Sequence, residues 1–200
     1  LDKSYIRIIG LEIRNFRGSG TPTGISVRGS GTCIEIRNNK VHHIENSAGN
    51  AHGIAIYGTG KSALTKILVD GNEIHDCQLG SSEALVLNGN VSQFVVSNNL
   101  IHDNDNIGID FIGFERVGPP GFDQANDGIC FGIELASEHQ DRNTEDIIVR
   151  NNFVSGSYQA NIMAGGYAAD KGRAVNIAIL HNTTFQGREG EVALQFNCDK

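Results

Sequence analysis

SNNLIHDNDNIGIDFIGFE, Ser97 to Glu115, contains every part of the unit from which this chain is built. An Asn98–Asn99 pair is followed by a short apolar strand, a polar corner from His102 to Asn106, and a second strand carrying one carboxylate, Asp110. Asparagine suits the tight turn because it tolerates left-handed backbone and its side-chain amide can hydrogen-bond to neighbouring backbone. Working outward from Asn99, the unit recurs as CIEIRNNKVHHI, KILVDGNEIHDC, DIIVRNNFVSGS and NIAILHNTTFQG. The second turn residue is Asn39, Asn72, Asn99, Asn152 and Asn182 in turn, at intervals of 33, 27, 53 and 30 residues. An earlier, degenerate copy is YIRIIGLEIRNF, with Gly10 near the turn. Further short strands follow as GISVRG, HGIAIYG, EALVLNG, IGIDFIG, FGIELAS, ANIMAGG and VALQFN.

Units of three short strands at such a period are the signature of a solenoid. Within each strand Ile, Val and Leu alternate with polar residues, so one set points inward and stacks on its counterpart roughly 4.8 Å away in the next coil. The expected architecture is all-β: a right-handed parallel β-helix of about seven coils, one domain over residues 1–200, with the turn asparagines stacked in a ladder. An antiparallel sandwich would instead call for two-residue hairpin turns and longer strands.

Composition agrees. The chain has 200 residues, 25 Gly, no Trp and one Met, with 20% charged residues. No window repeats apolar residues at helical spacing for more than a turn. A net charge of −7 leaves no basic stripe for a nucleic-acid backbone. The cysteines (Cys33, Cys77, Cys130, Cys198) are irregularly spaced, which fits neither a zinc site nor a disulfide scaffold. No apolar run is long enough to span a membrane. From Phe114 to Cys130, FERVGPPGFDQANDGIC lacks an Asn-turn segment, so either a long loop replaces two strands of a coil or sequence is missing there. The chain begins at a first strand and stops after a third, which leads us to expect a longer protein with caps.

The triple-strand coil, the Asn ladder and the loops after the third strand resemble the pectate-lyase-type β-helix superfamily, over nearly the whole chain. That superfamily includes pectate, alginate and chondroitin lyases and several glycosidases. The resemblance implies a secreted or cell-surface, monomeric, carbohydrate-active protein whose polysaccharide substrate lies along the third-strand sheet. On that sheet the aligned outward column reads Ser26, Ala55, Val86, Asp110, Glu134, Met163 and Gln195. One flank reads His52, Glu83, Ile107, Phe131, Ala160 and Val192, and the other Arg28, Tyr57, Asn88, Ile112, Ala136, Gly165 and Asn197. Asp110 and Glu134 are therefore expected on consecutive coils, with Glu83 one coil earlier.

Like charges so close need a cation, a shared proton or a base. One reading is a calcium site of Glu83, Asp105, Asp110 and Glu134, the metal binding a uronate carboxylate while Lys171 or Arg173 abstracts the adjacent proton in β-elimination. The stretch Asn104–Asp110 is similar to the calcium motif of family-nine pectate lyases at Gly108 and Asp110, with Asn106 and Ile107 at the paired-aspartate positions. A second reading is a retaining glycosidase using Asp110 and Glu134, whose carboxyls would stand about 5 Å apart. A third is a non-catalytic carbohydrate-binding or surface domain with a solvated acidic edge. His52, Tyr57, Asn88, His139 and Tyr167 border the groove as substrate-binding candidates. His42, His75 and His102 repeat three residues after the Asn, followed by His43, Asp76 and Asp103, and read as a structural stack with His–Asp hydrogen bonds on a face away from the groove.

Overall fold

The computed structural model describes residues 3–60, 62–112, 145–155, 160–164, 177–185 and 192–196. The first coil is β1 (Ile6–Ile9), β2 (Glu12–Arg17) and β3 (Thr23–Arg28), and the second β4 (Gly31–Arg37), β5 (Lys40–Glu45) and β6 (His52–Gly58). The third is β7 (Leu64–Asp70), β8 (Glu73–His75) and β9 (Glu83–Gly89), and the fourth β10 (Val91–Ser97), β11 (Leu100–His102) and β12 (Ile107–Ile112). Then come β13 (Glu145–Arg150), β14 (Phe153–Ser155) and β15 (Ala160–Ala164), and finally β16 (Ile177–Leu180), β17 (Thr183–Phe185) and β18 (Val192–Phe196). First, second and third strands each pair in parallel with their counterparts, giving three six-stranded sheets. Six coils thus stack among the described residues, one fewer than expected. The difference lies after β12, which pairs with β9 on one side and directly with β15 on the other. FGIELAS (131–137), expected between them, lies outside the described residues.

The alternation of residues builds the core. Ile34, Ile67 and Phe94 stack in register in the first sheet, Val41, Ile74 and Ile101 in the second, and Ile54, Leu85 and Ile109 in the third. All nine are at most 2% exposed. Burying each such side chain is worth about 1.5–3 kcal/mol.

The first and second residues of each Asn turn divide the work. The first takes the left-handed backbone: Asn38, Gly71, Asn98, Asn151 and His181 have φ of 52, 67, 56, 53 and 52°. The second points inward and makes the ladder. The Nδ2 groups of Asn39, Asn72, Asn99 and Asn152 each donate to the next Asn Oδ1, at 3.0, 2.9, 2.9 and 2.9 Å, ending on Asn182. In the first coil, which has no Asn here, the Leu11 amide donates to Asn39 Oδ1.

On the outer edge of the first sheet Arg37, Asp70, Ser97 and Arg150 lie in register. Partial burial pushes the Asp70 carboxyl up, but hydrogen bonds from Ser97 Oγ (2.8 Å), Asn98 Nδ2 (2.6 Å) and Arg37 outweigh it and hold it below the usual aspartate value. A lowered folded value means that the stabilisation is complete above the unfolded pKa, near 4, and is lost as pH falls through the folded one. Urea midpoints measured from pH 6 downward should therefore fall less steeply for Asp70→Asn than for wild type below about pH 4. Parallel acid limbs would show that Asp70 contributes nothing through its charge.

Candidate active site on the third sheet

The corner entering each third strand is narrow. A Cβ on Gly24 would lie 2.5 Å from Val41 Cγ1, and one on Gly53 would lie 2.6 Å from both Ile74 Cγ2 and the Ala84 carbonyl oxygen. Both glycines thus face the core, and Ala84, the smallest residue with a side chain, joins the core at the corner of the third coil. Ile54 and Leu85, directly after Gly53 and Ala84, are also core residues. Two inward residues in succession break the alternation and turn the residue before them, His52 or Glu83, to the outer face. Across that kink, His52 meets Tyr57 of its own strand.

The side chains form a chain of contacts. The Tyr57 hydroxyl lies 3.1 Å from His52 Nε2, and Glu83 Oε2 lies 3.3 Å from His52 Nδ1, an ion-pair distance off the hydrogen-bonding line. A carboxylate on the Nδ1 side selects the tautomer with its proton there, leaving Nε2 to accept from the Tyr57 hydroxyl. Tyr57, His52 and Glu83 are 5%, 6% and 8% exposed. The Arg28 guanidinium carbon stands 4.8 Å from the Tyr57 ring centroid, a cation–π contact. Asn88 is buried and follows Arg28 and Tyr57 in the same column.

His52, Tyr57, Glu83 and Asn88, four residues expected near the groove, are thus brought together on adjacent coils. Asp110 lies in the outward column as expected and is fully buried, but its register partners are Val86 and Met163. Neither register neighbour of Asp110 in that column is therefore a carboxylate. Glu134, Lys171, Arg173, His139 and Tyr167 lie outside the described residues. Arg28, placed by the sequence in the same flank as Asn88 without a role, stands beside Tyr57. Its place beside Tyr57 in the flanking column was the available signal.

The model for a right-handed β-helix region matches residues 2–119. This chain belongs to the right-handed β-helix family. It is also 31% identical over 249 aligned residues to the uncharacterized protein YwoF of Bacillus subtilis (strain 168), with 98% of this chain and 53% of that protein covered. The β-helix thus spans about half the length of the curated relative it matches. No solved structure matches it significantly.

Of the four carboxylates expected as a calcium set, Glu83, Asp105 and Asp110 fall among the described residues and Glu134 does not. Glu83 faces His52. Asp105 lies at the corner before β12, where it accepts a hydrogen bond from the Leu79 amide and lines an open polar cavity of about 480 Å³ with Asn46, Asn50, Gln78 and Ser81. Among the described residues no three His, Cys, Asp or Glu side chains gather to hold a metal ion. Thiol chemistry is also unsupported at Cys77, whose pKa burial pushes up to about 12.

The histidine column belongs to the second sheet and is structural in its contacts. His42, His75 and His102 stack with centroids 4.7 and 4.9 Å apart and rings within 7° of parallel. His75 Nδ1 pairs with Asp76 at 2.7 Å and His102 Nδ1 with Asp103 at 2.8 Å, as expected. His42 differs: its Nδ1 meets His43 Nδ1 and its Nε2 meets Glu12. These contacts act on the acids, the His75 hydrogen bond holding Asp76 and the His42 hydrogen bond holding Glu12 below their usual ranges.

Proposed function

We propose that this β-helix protein is carbohydrate-active and cleaves a uronate-containing polysaccharide by β-elimination along the outer face of the third sheet. The observation that carries the reading is the contact chain Glu83–His52–Tyr57, held beneath that face with Asn88 and Asp110 on neighbouring coils. Burying titratable groups costs free energy that apolar residues would not, so a cluster of them on an outer sheet face is a functional-site signal. β-Elimination next to a carboxylate needs a group that neutralises the carboxylate, a base for the adjacent proton and an acid for the leaving oxygen. An arginine, a phenol and an imidazole supply those chemistries side by side. No step is assigned to calcium.

The test is incubation of the purified chain with polygalacturonate and with alginate. The reading expects ultraviolet absorbance from an unsaturated uronate to grow in step with new reducing ends. Reducing ends without that absorbance would overturn it in favour of hydrolysis. Retardation on a carbohydrate gel with neither product would reduce the protein to a binding module.

A further inference from the structure

We propose that Arg28, Tyr57, His52 and Glu83 form one uronate subsite in which Arg28 binds and neutralises the sugar carboxylate and Tyr57 transfers the proton, so that elimination requires no metal. This rests on the polyuronate reading above and adds the residue roles to it. Arg7, Arg14, Arg17 and Arg37 each stand within 4 Å of a glutamate or aspartate oxygen. Arg28 instead lies over the Tyr57 ring, exposed, with no ion pair among the described residues. A guanidinium presents two parallel N–H groups to a carboxylate, and this one is anchored where its partner would sit next to the phenol. Asn88, one coil further in the same column, adds an amide suited to a sugar hydroxyl.

The proton path balances without a co-reactant. Neutralised by Arg28, the uronate carboxylate can hold the charge that develops when the adjacent carbon gives up its proton. The Tyr57 oxygen takes that proton while its own moves to His52 Nε2, and Glu83 offsets the charge gained by the imidazole. The electron pair of the broken C–H bond becomes the new carbon–carbon double bond, and the glycosidic carbon–oxygen bond breaks. The leaving oxygen takes a proton back from Tyr57, and His52 returns its proton to the phenol. No water is consumed and every group ends as it began.

Tri-uronates of galacturonate and mannuronate, and their methyl esters, are the probes, with binding read by calorimetry and elimination by ultraviolet absorbance, with and without chelator. Wild type should bind the free acids better than the esters and turn over equally in chelator. Arg28→Gln, at an exposed position, should raise Kd and KM about tenfold and erase the preference for the free acid. Tyr57→Phe should bind within about twofold of wild type but lose about a hundredfold in kcat. His52→Gln should lose kcat and flatten the pH profile of kcat, which a merely structural role would not do. Arg28→Gln retaining its preference for the acid, Tyr57→Phe with wild-type kcat, or loss of turnover in chelator would overturn the subsite and leave the lyase reading standing. A wild-type chain that neither binds nor cleaves any tri-uronate would overturn both.

Discussion

Asn99→Ala should lower the free energy of unfolding by about 3–5 kcal/mol, because it orphans several buried groups at once. Asn99 Oδ1 accepts from both the backbone N and the Nδ2 of Asn72, each at 2.9 Å. Asn99 Nδ2 donates to the Val69 carbonyl at 3.1 Å and to Asn152 Oδ1 at 2.9 Å. Alanine supplies none of these bonds, and at a position only 1% exposed water cannot reach in to replace them. Each stranded buried donor or acceptor costs about 1–3 kcal/mol. Asn182, at the end of the ladder, is half-buried, so solvent can take over there and Asn182→Ala should cost about 1 kcal/mol. Urea unfolding of the two variants checks the contrast. Equal losses would mean that the ladder is not the coupled, water-excluded network described above.

Gly58→Ala should be nearly as damaging, at about 3 kcal/mol, through steric overlap rather than lost bonding. A Cβ at Gly58 would lie 2.1 Å from the Asn90 carbonyl oxygen, 2.3 Å from its carbonyl carbon and 2.8 Å from its Cα. All three are backbone atoms, so no side chain can swing aside. The Asn90 amide also donates to the Gly58 carbonyl at 2.9 Å, which pins the two coils together. Since Tyr57 precedes Gly58, relief of the overlap must shift the phenol relative to His52. The measurable result is a lowered thermal midpoint together with weaker tri-uronate binding. A variant that unfolds like wild type would show that adjacent coils can separate locally without cost.

The fold was legible because a solenoid repeats its evidence. Each of the five asparagines chosen from spacing alone occupies the ladder, and the outward column Ser26, Ala55, Val86, Asp110, Met163 and Gln195 holds in register. One expectation differed: FGIELAS, after the stretch without an Asn turn, looks like every other third strand, yet β12 pairs with β15. Strand composition carries no information about which strand is the neighbour when the intervening turn lacks its asparagine. The contact between His52 and Tyr57 was also invisible, since strict alternation puts residues five apart on opposite faces. It arises from the kink at Gly53, whose signal in the sequence was the small residues Gly24, Gly53 and Ala84 at equivalent corners. The column of Arg28 was legible, but its contact with the Tyr57 ring depends on side-chain placement that strand spacing does not give.

A crystal structure with a bound oligo-uronate tests most directly whether the third sheet is the working face. The expected result is a sugar chain running across the first, second and third coils on the outer face of that sheet, with one carboxylate on Arg28 and a ring beside the Tyr57 hydroxyl. A chain bound instead on the histidine column of the second sheet, or on the outer face of the first, would contradict the account.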